Sequence, residues 1–318
     1  MTTSVRDDPR AVTTTHTIDI DADPDVVYGI VADVTMWPYT FAPTVHAEVI
    51  ESDGERERLR LWALANGNLK TWTSQRRLDP DVRRVSFAQE TPAAPVMAMS
   101  GEWIVQSLPH SGTRVELLHH FRAVCADSAA LIWRAVETNS NAELAALKQA
   151  AELGDAREDA VLDFDEVISV DAPPERVYEF LYRADLWPGR LPHVDGLELD
   201  EPEVGVQWMN MDTRAQDGSV HTTSSVRVCL ENRRIVYKQT QTPPGMAAHV
   251  GEWTVTPSGK GAEVSSRHIV VIQPDAVASI LGPQVTIADA GARIRDALRA
   301  NSMTTMRHAK AAAEEALA

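Results

Sequence analysis

The chain repeats itself, and that limits it more than any other feature. Asp23-Pro-Asp-Val-Val-Tyr28 aligns with Pro173-Pro-Glu-Arg-Val-Tyr178, Trp37-Pro38 with Trp187-Pro188, and Gly101-Glu-Trp103 with Gly251-Glu-Trp253. Each pair lies 150 positions apart (178 − 28). Asn139-Ser140 and Lys148 align with Asn301-Ser302 and Lys310 at an offset of 162 (301 − 139). The second copy therefore carries an insertion around Gln273 to Gly291. Two copies of this size are duplicated domains, since a solenoid repeats every ~20–50 residues. A length of 318 residues also suits two domains of about 150 each. The expected domains are 12–153 and 160–318, joined by the polar stretch Gly154 to Asp159, where Gly154 is placed to end a helix.

Within the first copy, Thr14 to Ile20 alternates polar and apolar residues and reads as a strand. Asp23 caps a helix that starts at Pro24 and buries Val27, Ile30, Val31 and Val34. Trp37-Pro38 is expected to end it, because a residue before proline is pushed out of the helical region. From His46 to Phe121, Ser52-Asp-Gly54, Asn66-Gly67, Asp79-Pro-Asp81 and Ser111-Gly112 are turn signals, giving six antiparallel strands with the first. A long helix follows over Ser128–Leu153, with Ile132, Val136, Leu144, Leu147 and Ala151 on one stripe, Ser140 on it and Asn139 beside it. The second copy repeats this order. Strand, short helices, antiparallel strands and one long helix define an α+β helix-grip: a curved sheet wrapped around a terminal helix, with an internal pocket between the layers.

The chemistry is expected on the row Trp72, Ser74 and Arg76, which share a strand face. An inward Arg is a permanent cation with five donors in a fixed fork, and it is costly to bury without a purpose. Ser225 and Arg227 repeat the pair, with Thr223 where Trp72 stands. His119 falls on the apolar face Val115, Leu117, Phe121, and His268 is its counterpart beside Ser266. An inward His near Ser and Arg suits proton transfer near neutral pH; a core His bonded to backbone is the plain alternative. Trp37, Trp72, Trp103, Met97 and Met99, with Trp187 and Trp253 in the second copy, are candidate pocket walls for a flat ligand. Asn139 and Asn301 are candidate polar contacts. Thr91 to Pro95 and Thr242 to Gly245 read as loops at the pocket rim.

A net charge of −16 excludes the basic face that nucleic acid demands and disfavours an anionic membrane surface. Met1 to Thr15 has no apolar core of a leader, and no apolar run approaches the roughly 20 residues of a span. Cys125 and Cys229, one per half, fit a reducing, cytoplasmic setting rather than a disulfide framework. Paired Cys or His with zinc spacing, a phosphate-binding loop, a dinucleotide fingerprint and a nucleophile elbow are all missing. The expected chemistry is therefore free of metal and cofactor.

On Trp37-Pro38, the Trp72-x-Ser74-x-Arg76 row, Gly101-Glu-Trp103 and the Asn139-bearing helix, the chain resembles the di-domain polyketide aromatase/cyclases of bacterial type II polyketide synthases, in the START/Bet v 1-like superfamily. The resemblance spans nearly the whole chain, twice. It implies first-ring closure between carbons seven and twelve of a poly-β-ketone tethered to an acyl carrier protein, followed by dehydration to an aromatic ring. The other synthase components would be partners. In that reading Arg76 and Arg227 polarise a carbonyl, while Ser74, His119, Ser225 and His268 relay protons. Only the first half keeps the Trp beside its Ser-x-Arg pair, so it is expected to direct ring closure while the second assists. The other reading is a non-catalytic carrier of a hydrophobic ligand, as fold alone does not fix function.

Overall fold

The computed structural model describes residues 8–65, 67–214, 218–231, 233–282 and 284–315. Asn66 of the expected Asn66-Gly67 turn, residues 1–7 of the Met1–Thr15 stretch and residues 316–318 of the expected second domain lie outside them. The chain divides into two compact units, Met1–Asp155 and Ala156–Ala318.

The first unit runs β1 (Ala11–Ile20), α1 (Pro24–Ala32), α2 (Trp37–Thr40), β2 (Thr44–Ser52), β3 (Arg56–Ala65), β4 (Asn68–Asp79), β5 (Arg84–Gln89), β6 (Val96–Ser107), β7 (Thr113–Ala123) and α3 (Ala126–Glu152). Its antiparallel sheet has the order β1-β7-β6-β5-β4-β3-β2. The second unit opens with the short α4 (Arg157–Ala160) and then runs β8 (Val161–Val170), α5 (Pro174–Tyr182), β9 (Val194–Glu203), β10 (Val206–Arg214), β11 (Val220–Leu230), β12 (Arg234–Gln241), β13 (Met246–Ser258) and β14 (Gly261–Ile272). It closes with α6 (Pro274–Leu281) and α7 (Ile287–Glu315), and its sheet has the order β8-β14-β13-β12-β11-β10-β9. Each unit is thus a START/Bet v 1-like helix-grip. Among the described residues no helix is long and apolar enough to cross a membrane.

Each sheet has seven strands rather than six. The seventh arises because Thr91–Pro95, read only as a rim loop, divides β5 from β6. The inserted residues of the second copy form α6. Alternation places Val115, Leu117 and Phe121 of β7 in the core and Arg114, His120 and Arg122 outside. The buried stripe of α3 is Ala129, Ile132, Val136, Ser140, Leu144, Leu147 and Ala151. Gly154 follows this helix at φ +50°.

The first helix ends earlier than expected. The α1 segment stops at Ala32, and the Asp33 side chain accepts from Thr35 N to start a separate turn. Trp37 keeps helical backbone angles (φ −60°, ψ −40°) although Pro38 follows it. Pro38 sits in the first turn of α2, where no intrahelical N–H donor is required.

Two repeated features have structural causes. Lys148 Nζ donates to Asp19 O at 2.8 Å, and Glu152 accepts from Asp21 N at 2.8 Å. Lys310 and Glu314 make the same contacts to Ser169 O and Asp171 N, each at 2.8 Å. The end of each long helix is thereby fastened to the end of its first strand. One contact nearby has its acidic partner on the other element: His16 Nε2 of β1 meets Glu137 of α3 at 3.0 Å in the first unit, whereas Glu166 of β8 meets Arg299 Nε of α7 at 3.4 Å in the second.

Gly101 and Gly251 explain the repeated Gly-Glu-Trp. A Cβ on Gly101 would lie 2.1 Å from Leu118 O and 2.4 Å from the Phe87 ring. One on Gly251 would lie 2.3 Å from the ring and hydroxyl of Tyr237. Gly101→Ala and Gly251→Ala are each expected to cost about 1–3 kcal/mol through forced repacking. The Gly101 variant should suffer more, because backbone blocks it. Denaturant midpoints of the two variants check this.

Candidate active site

The Trp72-Ser74-Arg76 row does face inward: Ser74 and Arg76 are buried, Arg76 at 4 % exposure. Its donors are already engaged. Arg76 Nε donates to Glu57 at 2.6 Å, Nη1 to Val31 O at 3.3 Å and Nη2 to Ala32 O. Trp37 Nε1 also donates to Val31 O, at 3.2 Å, and the guanidinium lies 5.8 Å from the Trp37 ring. The carboxyl end of α1 has no glycine cap, so these two side chains serve its last carbonyls. Ser74 Oγ donates to Ala88 O at 2.9 Å.

The second unit builds a related motif. Arg227 Nη2 donates to Leu181 O at 2.6 Å, Trp187 Nε1 to Phe180 O at 3.1 Å, and the guanidinium lies 5.1 Å from the Trp187 ring. The residue paired across from Arg76 is Glu57; the one across from Arg227 is Gln207, an amide. Gln207 spends its Nε2 on Tyr182 O and Glu201. Arg227 is 1 % exposed, and its Nη1 is buried without a partner, as is Ser225 Oγ. Burial alone pulls the Arg227 pKa downward, but an arginine remains charged.

A cavity of about 340 Å³ lies between the second sheet and α7. It brings together Trp187, Ser225, Arg227, Trp253, His268 and Asn301, all expected in the site. Apolar walls come from Met209, Met211 and Ile294, with Val277 and Ile280 of α6 beside the Pro243–Met246 rim. Large rings of the first unit are matched by smaller groups here. Phe41, stacked on Trp103 with ring centres 6.0 Å apart, corresponds to Leu191, and Trp72 to Thr223. Thr223 borders the cavity, whereas Trp72 packs against Val34, Ala47, Leu59 and Leu61.

His119 and His268 both point inward. His119 Nδ1 lies 3.5 Å from Ser140 Oγ, with Phe87 edge-on. His268 contacts Tyr237, His249 and Ser266 at 3.1–3.2 Å. Met99 joins the cluster of Phe121, Ile132 and Val136; Met97 is 50 % exposed and lies outside the core. Asn139 is half-buried on α3, and the buried polar residue of that turn is its neighbour Ser140. Ser302 takes Ser140's place and donates to Glu166 at 3.2 Å. In the first unit an open polar groove of about 770 Å³ runs along the outer side of the sheet, past Gln75, Arg77, Glu102 and His120.

Several site groups were missed in the sequence: Tyr237, Gln239, His249, His193 and Thr305, all bordering the cavity. Glu143 stands where Thr305 does in the other long helix, and burial pushes its carboxyl up to about 7. Tyr237 and Gln239 share the alternation of β12 with Ile235, which was the available signal.

Burial also holds the His119 imidazole down at about 4, and it depresses both rings of the His249–His268 pair. The unfolded rings titrate near about 6.5. Between pH 6.5 and 4 the unfolded chain binds protons that the folded chain refuses. The stability these rings contribute is therefore complete above about pH 6.5 and falls as pH drops, by up to about 1.4 kcal/mol per pH unit per ring, while the raised Glu143 carboxyl offsets part of it by taking up a proton in the folded chain. Urea midpoints between pH 7 and 5 should decline, and His119→Phe should flatten the decline.

The family described as polyketide cyclase / dehydrase and lipid transport matches residues 11–152 and again 162–308. The actinorhodin polyketide synthase bifunctional cyclase/dehydratase of Streptomyces coelicolor is 42 % identical over 94 % of this chain and 96 % of its own. The granaticin polyketide synthase bifunctional cyclase/dehydratase of Streptomyces violaceoruber is 40 % identical over 95 % and 94 %. The crystal structure of the di-domain ARO/CYC BexL from the BE-7585A biosynthetic pathway superimposes with a TM-score of 0.86 at 46 % identity, covering 95 % of this chain and 99 % of that one. The di-domain ARO/CYC StfQ from the steffimycin pathway gives 0.82 at 35 % identity, covering 96 % and 99 %. Matched once in each half by the family, and end to end by its two-domain members, this chain belongs to the polyketide cyclase/dehydrase family.

Proposed function

We propose that this two-domain cyclase/dehydratase folds a poly-β-ketone held on an acyl carrier protein, closes its first ring between carbons seven and twelve, and dehydrates that ring to an aromatic one. The observation that carries the reading is Arg227: a buried cation at the cavity, with no carboxylate in the position that neutralises Arg76, and with an unspent N–H. A poly-β-ketone has acidic methylenes, so ring closure needs a folded chain and a cation where oxyanion charge develops. Arg227 and Ser225 supply donors there, and Trp187, Trp253 and the methionines shape the walls.

This assigns the reaction chamber to the second domain, the reverse of what the indole of Trp72 suggests in the sequence. In the first domain, Arg76 caps a helix and is neutralised by Glu57, while His119 and Ser140 form a separate interior polar pair. The carrier protein and the other synthase components are the partners this reading requires. Reconstitution with the minimal synthase, with and without this protein, tests it. A shift from shunt products to a first ring closed between carbons seven and twelve is expected. Unchanged products, with the polyketide merely retained by the protein, would establish a carrier instead.

A further inference from the structure

The second cavity holds a polar chain that the first domain does not reproduce. Tyr237 Oη lies 3.2 Å from His268 Nδ1. His249 Nε2 approaches the same nitrogen at 3.1 Å, and Ser266 Oγ lies 3.1 Å from His268 Nε2. Tyr237, His249 and His268 all border the cavity. Both histidines are almost wholly buried, whereas Tyr237 is only half-buried, so the phenol is the end of the chain that a ligand reaches. By the repeat offset, the first domain has Phe87, Met99 and Leu117 where Tyr237, His249 and Ser266 stand; only the histidine is kept, as His119. Each lost group is replaced by an apolar one, so the helix-grip core does not need this chain in order to pack.

We propose that Tyr237 is the proton-exchanging catalytic residue of the dehydration step, with His268 as its proton store and His249 as the positioning residue that fixes His268. The proposal rests on the reading of the second cavity as the reaction chamber. The substrate is a β-hydroxy ketone, the product of an aldol closure. First, the C–H bond between the carbonyl and carbinol carbons breaks, and its electrons form an enolate beside Arg227. The released proton passes to Tyr237 Oη while the phenol's own proton moves to His268 Nδ1; the buried ring, reluctant to charge alone, does so only as the enolate's negative charge forms in the same cavity. Next, the enolate electrons form the C=C bond and the C–O bond breaks. Tyr237 gives its hydroxyl proton to the leaving oxygen, which departs as water, and His268 returns its proton to Tyr237. Atoms and charge balance, and neither an oxidant nor a reductant is consumed.

The first domain supplies the test variants. A phenylalanine already packs over the equivalent Gly101, so Tyr237→Phe should fold, and His249→Met likewise copies Met99. Wild type and both variants are compared in the reconstituted synthase, with thermal melts run in parallel. Tyr237→Phe is expected to slow formation of the aromatic ring by about 10²-fold or more, to accumulate the ring-closed, still hydrated alcohol, and to melt as wild type does. His249→Met is expected to lower kcat by a smaller factor with KM unchanged. Wild-type yields of the aromatic ring from a folded Tyr237→Phe overturn the proposal. A wild-type chain that leaves the synthase's products unchanged overturns the reading beneath it instead, so the two failures are distinct.

Discussion

Replacing Arg227 with alanine is expected to lower the rate of first-ring formation about 10²–10³-fold, a loss of about 3–4 kcal/mol of transition-state stabilisation. The guanidinium spends Nη2 on Leu181 O and keeps Nη1 buried without a partner. No carboxylate faces it across the strand pair, where Gln207 stands. The Glu201 carboxylate acts on Arg227 through charge but spends its hydrogen bonds on Tyr182, Gly205 and Gln207, so Nη1 is left for an enolate or alkoxide forming in the cavity. The loss should appear in kcat more than in KM, because the charge it answers exists only as the reaction proceeds. Single-turnover analysis of products measures it. Wild-type rates from a folded Arg227→Ala variant would remove the second cavity from the chemistry.

The parallel change in the first domain should act on the fold. Arg76→Ala strips the partner from the largely buried Glu57, leaves the Ala32 carbonyl without this donor and leaves Val31 O to Trp37 Nε1 alone. Removing one member of such a buried pair costs about 3–5 kcal/mol. The first domain should therefore melt early, and the denaturation curve should split in two, since a two-domain chain need not unfold in one step. Glu57→Gln is the control. It copies Gln207 and keeps an acceptor facing Arg76 while removing the charge, so its cost should be smaller than that of Arg76→Ala. If Arg76→Ala melts as wild type does yet makes no ring, the reaction belongs to the first domain and the assignment is reversed.

The duplication, the helix-grip order and the inward rows of β4, β7, β11 and β14 were legible because repeat spacing and strand alternation are properties of sequence alone. Arg76 and Arg227 were found together but looked alike. What separates them, Glu57 against Gln207, lies on a neighbouring strand, and pairing register is a tertiary fact. Tyr237 and His249 stayed hidden for a related reason. Matching one copy against the other favours what both keep, and their counterparts Phe87 and Met99 carry no polar signal. The cavity itself depends on volumes, with Leu191 and Thr223 standing where Phe41 and Trp72 fill space, and no periodicity reports that. The seventh strand was lost because a loop containing Pro92 and Pro95 was read as a rim rather than as a strand break.

A tandem duplicate carries a hazard during synthesis: each sheet has two related terminal helices in the chain that could dock on it, and inter-domain misassembly is a characteristic failure of repeated proteins. The exchanged contacts of His16 and Glu166 bear on it. With α3 on its own sheet, Glu137 meets the imidazole of His16; with α7 on its own sheet, Arg299 meets the carboxylate of Glu166. Exchange the helices and Arg299 confronts an imidazole while Glu137 confronts Glu166, a buried carboxylate of β8. Like charges brought together discriminate against the wrong partner as well as any attraction selects the right one. Each long helix thus carries a side chain that suits its own sheet better than the other's.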